Sequence, residues 1–340
     1  MKIAVDAMGG DFGPTEIVPA SLAFLKETPD ARIILLGQED LLRQELLRHK
    51  ASSHDRLEIQ HAPQIVGMDE APSQALRSKR NSSMRLGVDM VKAGTADALV
   101  SAGNTGALMA MGKVILRTIP GIDRPAIATT MPTRQGKTLM LDLGANVDCE
   151  PHHLYQFAIM GEVFARLVMN LPRPSIGLLN IGEEEIKGNE TVKEAALLLR
   201  TSSLNFHGNV EGSDIYRGTT DVVVCDGFVG NVALKVSEGL AQMIRAELKE
   251  AYQASWYGRL AAVLSLPVLR RFRDRLDHRR YNGATLLGLN GIIIKSHGNA
   301  DSFAFTQAIR VAATEVRHHL IANIAQEVQL LLAEHHETTA

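Results

Sequence analysis

The chain has 340 residues, 45% hydrophobic and 22% charged, with a formal charge of −2 and 4% aromatic residues. It can bury one large core or two moderate ones without staples, and it excludes a generally basic nucleic-acid binder with many stacking platforms. Two distant cysteines, Cys149 and Cys225, have no metal spacing and fit the cytoplasm, and no apolar run is long enough to span a membrane.

The first predicted strand, 2–6, runs into "DAMGGDFGP", where two acids flank a glycine pair before a helix over 15–28. A strand at 32–37, a helix at 39–49, a strand at 57–61 and a helix at 84–93 follow. Then come a strand at 97–101 and a helix at 105–117, strands at 126–131 and 138–142, a helix at 152–170, and a strand at 175–180. A helix at 189–200, a strand at 222–225, a helix at 231–253, a strand at 291–295 and one long helix over 301–334 complete the chain. This alternation predicts βαβ units around a largely parallel sheet.

Several strands end alike, in a glycine with a small polar neighbour before a helix: "LVSAGNTGA", "LMLDLGAN", "LLNIGEEEIKGNE" and "VVVCDGFVGN". In a doubly wound sheet such turns line one ligand-binding edge. Asn104, Asn146 and Asn231 also suit plain turns or helix caps. Together with glycines that admit close backbone approach, and with helix N-termini that favour anions, they form a candidate cradle for a phosphate-like group.

Familiar catalytic signatures are missing from the sequence. It has no G-x-G-x-x-G after a strand, and "TRQGKT" imitates a P-loop tail but has Met131 where glycine is required and a strand where a helix should follow. The histidine pairs 152–153, 318–319 and 335–336 are adjacent, so on a helix their rings should diverge, which predicts poor metal sites and no resident metal. Cys225 lies in an apolar run and reads as a small buried side chain rather than a nucleophile. Lys187 among three glutamates reads either as a surface lysine or as a site charge. Lys235, one helical turn after Asn231, and Ser296 and His297 in "KSHG" carry the same ambiguity.

The runs "DAMGGD", "SAGNTGA", "LDLGAN", "LNIGEEEIKGNE", "GNVEG", "DVVVCDGFVGNVALK" and "SHG", in this order, resemble the phosphate acyltransferases of bacterial phospholipid synthesis, the PlsX family. The resemblance implies one α/β domain over 1–340: a three-layer α/β/α sandwich with a mostly parallel sheet, similar to isocitrate and isopropylmalate dehydrogenases. It further implies a homodimer and no cofactor. The implied reaction moves a fatty acyl group from acyl carrier protein to inorganic phosphate, supplying a membrane-bound glycerol-3-phosphate acyltransferase. A phosphotransacetylase using acyl-CoA and a nicotinamide oxidoreductase on a similar fold are the alternatives.

That chemistry needs no protein nucleophile, because phosphate attacks the thioester itself; the protein must hold it beside the carbonyl and stabilise the oxyanion. Lys187, Asn231 and His297 are accordingly expected as the main charge, an oxyanion donor and a proton donor to the leaving thiolate. Gly9, Gly10, Asp11, Gly103, Asn104, Thr105, Gly144, Asn146, Gly230, Lys235 and Ser296 are expected around the phosphate, with Asp6 and Asp11 orienting donors and capping the first helix.

Residues 255–281 hold seven arginines and two aspartates, so this segment carries +5 and the remainder −7. Apolar residues before and after Pro267 predict two short amphipathic helices bent there, a helical hairpin. Trp256, Leu264, Leu266, Arg270 and Arg271 are candidates for contact with an anionic membrane surface or the acidic carrier protein, and a dimer interface is the third reading. Location at the inner face of the cell membrane follows from the first of these.

Overall fold

A computed structural model describes residues 1–338, with the side chains of residues 272–276, 278 and 331–338 outside the description. Its first half runs β1 (Lys2–Asp6), α1 (Pro14–Glu27), β2 (Arg32–Gly37), α2 (Glu39–Arg48), β3 (Leu57–His61), α3 (Pro72–Ser78), α4 (Ser83–Lys92), β4 (Ala98–Ser101), α5 (Thr105–Ile115), β5 (Ala126–Pro132) and β6 (Lys137–Leu141). The second half adds α6 (Pro151–Val168), β7 (Ile176–Leu179), α7 (Glu190–Arg200), β8 (Phe206–Val210), α8 (Gly212–Arg217), β9 (Val222–Val224), α9 (Gly227–Gln253), α10 (Trp256–Leu276), β10 (Ala284–Leu287), β11 (Ile292–Lys295), α11 (Ser302–Arg317) and α12 (Leu320–Thr338). The short elements α3, α8, β8 and β10 have no counterpart among the sequence expectations, because segments of four to seven residues are too brief to show a period.

One sheet of eleven strands has the order β3-β2-β1-β4-β11-β10-β5-β6-β9-β7-β8. Alternate strand residues point to opposite faces. Ile3, Val5, Ile292 and Ile294 join α1, α2 and α11 in one core, while Leu139, Leu141, Val222 and Val224 join α6, α7 and α12 in another. The residues between them, Ala4, Ile293, Met140 and Val223, share a third core with α4 and α5 on the opposite face. Helices therefore cover both faces, giving three α/β/α layers.

The sheet is mostly parallel, as expected, but it reverses near its middle. β10 is antiparallel to β11 and β5, and β5 to β6. Strands β6, β9, β7 and β8 consequently run opposite to β1, β4 and β11. The expectation that all the Gly-Asn turns line one edge is thus corrected: they come from two half-sheets of opposite direction. Strand direction has no sequence signal, and the missed β10 is what sets it.

The single C-terminal helix expected over 301–334 is two helices. His319 adopts a left-handed φ of 49° between α11 and α12, and the Asn323 amide donates to the carbonyls of His318 and His319, both at 3.1 Å. The physical reason is packing. α11 buries Phe305, Ala308 and Ile309 in the core of the first half, whereas α12 buries Leu320, Ile324 and Val328 in that of the second.

The hairpin expected to bend at Pro267 bends instead between α9 and α10, where Ser255 caps α10 by accepting the Gly258 N–H at 3.1 Å. Pro267 lies inside one helix, and the hydroxyls of Tyr252 and Ser265 pair the two arms at 3.1 Å. Of the residues in the expected second helix, the side chains of Phe272, Arg273, Asp274, Arg275 and Leu276 lie outside the described residues.

Candidate active site

The opening glycine pair is explained by space. A Cβ on Gly9 would stand 2.6 Å from the Gly103 nitrogen, and one on Gly10 would stand 2.7 Å from the Gly298 oxygen, with Gly10 already at φ 82°. The β1 turn therefore lies directly on the turns after β4 and β11, an approach only glycine permits. Asp6, buried at the strand end, accepts the Ser101 hydroxyl at 2.7 Å, and Ser101 accepts the Gly103 N–H at 3.1 Å. Burial pushes the Asp6 carboxyl above its ordinary value, with hydrogen bonds from Ser83, Ser101 and the Met8 N–H and the Lys295 charge opposing. Asp6 thus orients the β4 turn. Neither Asp6 nor Asp11 caps α1, whose N-cap is Gly13 with no side-chain bond; Asp11 instead donates its N–H to the Gly298 oxygen at 2.8 Å.

The three expected asparagines have three different roles. Asn104 is the N-cap of α5, accepting the Ala107 N–H at 3.0 Å, while its amide nitrogen ties down the carbonyls of Gly67, Met68 and Glu70. Its side chain is occupied, while the neighbouring Thr105 is exposed. Asn146 caps nothing: its amide donates to Pro125 O at 2.7 Å and to Asp142 at 2.9 Å. Asn231 is neither turn nor cap, because Asp226 caps α9 and Asn231 stands in its second turn.

Asp142, which sequence reasoning missed, organises the second half of the site. Its carboxylate accepts the N–H groups of Ile127, Gly144, Ala145 and Asn146 at 2.7–3.2 Å. Burial raises its pKa, opposed by those same bonds. The available signal was the shared grammar of an acid at a strand end before glycine, as in Asp6. α9 then docks on this turn: a Cβ on Gly230 would overlap the Asp142 carbonyl, and Gly144, at φ 125°, faces the side chain of Asn231. Among the described residues the Asn231 amide has no hydrogen-bond partner.

One turn further along α9, Lys235 pairs with Glu238 at 2.9 Å, and Glu238 lies 3.8 Å from His297. These contacts bridge the two half-sheets. Ser296 is buried and accepts the Asn282 amide at 2.8 Å, a structural role. Its neighbour Lys295, the other residue missed, donates to the carbonyls of Ala102 and Ser296. Lys187 contacts its own loop, with Nζ 3.0 Å from Glu184. The structure thus brings Asn231, Lys235 and His297 onto or beside α9, and it holds Lys187 within the β7 loop.

Both thiols are unsuited to nucleophilic work. Burial pushes Cys225 well above its ordinary value and Cys149 up to about 11. The expectation of diverging histidine rings is corrected: His152 and His153 lie with centroids 4.0 Å apart, beside Asp123. His153 Nδ1 accepts the Glu150 N–H at 3.0 Å, so its proton sits on Nε2, the wrong tautomer for ligation through that atom. Exposed residues mark the α9–α10 hairpin: Trp256 is 77% and Leu264 75% exposed, with Leu266, Arg270 and Arg271 also open to solvent. No described helix is long and apolar enough to cross a membrane.

Comparison with solved structures shows the fold. A phosphotransacetylase from Streptococcus pyogenes superposes with a TM-score of 0.63 at 18% identity, covering 93% of this chain and 94% of its own. A 4-hydroxythreonine-4-phosphate dehydrogenase from Klebsiella pneumoniae gives 0.50 at 15% identity, covering 93% and 98%. Sequence relatives are much nearer. A phosphate acyltransferase of Nitrosococcus oceani is 56% identical over 98% of each chain, and one of Chromobacterium violaceum is 56% identical over 96% of this chain and 95% of its own. With the profile described as "Fatty acid synthesis protein" matching residues 1–323, the chain belongs to that family and, within it, to the phosphate acyltransferases.

Proposed function

We propose that this phosphate acyltransferase takes a long-chain acyl group from acyl carrier protein. A phosphate oxygen attacks the thioester carbonyl, the C–S bond breaks, its electrons leave on sulfur, and acyl phosphate and carrier thiol result. The observation that carries this reading is the unpartnered Asn231 amide, presented by α9 over the Asp142–Asn146 turn with no competent thiol nearby. Exposed and with no internal partner to give up, this amide is available to a developing oxyanion. Phosphate then lies among the glycine turns, Lys235 and Lys187, the latter leaving Glu184 to reach it. His297, exposed beside Glu238, protonates the departing thiolate.

The outward face of α9, with Val232, Val236, Leu240 and Met243 exposed, supports a homodimer formed through helices. The exposed apolar tip and arginines of α10 support contact with an anionic membrane, where a lipophilic acyl phosphate passes to a glycerol-3-phosphate acyltransferase. Incubating the protein with palmitoyl-acyl carrier protein and phosphate should yield acyl phosphate. Turnover of acetyl-CoA instead would favour the phosphotransacetylase reading, and NAD-dependent hydride transfer would overturn both. For the membrane, the Leu264→Glu/Leu266→Glu double variant should lose co-sedimentation with anionic liposomes while keeping turnover; unchanged co-sedimentation refutes insertion.

A further inference from the structure

Lys295 ends β11, and its side chain runs beneath the glycine turns rather than into solvent. Its ammonium donates to Ala102 O at 3.2 Å and to Ser296 O. Ala102 opens the β4 turn that leads through Gly103 and Asn104 into α5. Ser296 opens the β11 turn whose Gly298 oxygen accepts the Asp11 N–H. A Cβ on Gly10 would meet both Gly298 O and the Ala102 side chain, so the β1 turn is wedged between the two segments that Lys295 ties. One ammonium therefore ties two strand-end turns, with the third packed between them.

We propose that Lys295 is the positioning residue for phosphate: it fixes the spacing of the β4 and β11 turns, with the β1 turn between them, so that the turn N–H groups not already bonded within the protein can meet the anion, and it adds a positive charge behind them. This rests on the phosphate-site reading above. Among the described residues Lys295 has no direct ion pair; the groups facing it are Asp6 of β1, Asp11 in the turn that follows, and Lys235 of α9, which Glu238 links to His297. Burial, with Lys235 adding to it and the two aspartates opposing, lowers the Lys295 pKa to about 8. The charge is present below that pH and lost above it, while phosphate's own second ionisation lies lower.

The test is calorimetric titration of inorganic phosphate into wild type, Lys295→Arg and Lys295→Met from pH 6.5 to 9.5, with turnover measured in parallel. Once phosphate's own second ionisation is complete, wild-type affinity should hold up to about pH 8 and then weaken toward the Lys295→Met level, about tenfold in all, measured against Lys295→Arg, which shares the phosphate ionisation. Lys295→Arg, which stays charged, should bind within about threefold of wild type at pH 7 and lack the alkaline loss. Lys295→Met should bind about tenfold more weakly at pH 7, with KM for phosphate rising more than kcat falls. A level wild-type profile, an alkaline loss that persists in Lys295→Arg, near-normal binding by Lys295→Met, or no phosphate binding by wild type would each overturn the proposal. Should Lys295→Met not fold, the wild-type and Lys295→Arg profiles still decide. If phosphate binding follows the expectation while palmitoyl-acyl carrier protein is not turned over, the donor reading fails and Lys295 keeps its role.

Discussion

Gly230→Ala tests whether the docking of α9 sets the chemistry. The added Cβ would overlap the Asp142 carbonyl and stand 2.9 Å from Cys225 Sγ, where ordinary contacts begin near 3.4 Å. Neither neighbour yields easily, because the Asp142 N–H donates to Cys225 O while its carboxylate accepts the Ile127 and Asn146 N–H groups, and Cys225 is buried. The helix must therefore back away by about 1 Å, carrying Asn231 with it, and a misplacement of that size costs on the order of 10²-fold in rate. Overpacking of this kind costs about 1–3 kcal/mol, which for a chain of this length lowers Tm by about 1–4 °C. Gly212→Ala at the start of α8, away from α9, is the control: nothing lies within 4 Å of its Cβ, so turnover should hold. Turnover of acyl carrier protein thioester and thermal melts of both variants supply the readout. If Gly230→Ala turns over within about threefold of Gly212→Ala, the position of α9 does not govern catalysis.

Lys187→Ala and Asn231→Ala should each lower turnover by about 10²–10³ without unfolding the protein; near-normal rates in folded variants remove them from the site. Glu315 is fully buried on α11, with Thr285 donating to one carboxyl oxygen and the other without a partner, and burial raises its pKa to about 8. The folded state therefore holds a proton that the unfolded state releases near its ordinary value of 4.5, so this contribution is complete below that value and is lost as pH rises toward 8. Wild type should lose about 2 kcal/mol between pH 6 and pH 8, read as a Tm fall of roughly 3 °C, and Glu315→Gln should lose much less. Parallel pH profiles would show that Glu315 is ionised in the fold.

The alternation of short apolar runs with helical periods was enough to give the α/β class and the main strands, because strand and helix periods are local properties. The glycine turns were legible for the same reason: "DAMGGD" has two glycines because the chain must pass against Gly103 and Gly298, a requirement written at one position. What tertiary structure alone decided was which residues those turns meet. Asp142 and Lys295 act through partners more than ten residues away or through burial, and neither has a local period. Asn104, Asn146 and Asn231 occupy similar sequence contexts, yet one caps a helix, one braces a turn and one stands unpartnered, because each faces a different neighbour. The reversal of the sheet at β10 and β5 and the break at His319 are of the same kind: both depend on which core a segment buries its face in, and that is settled only when distant segments pack together.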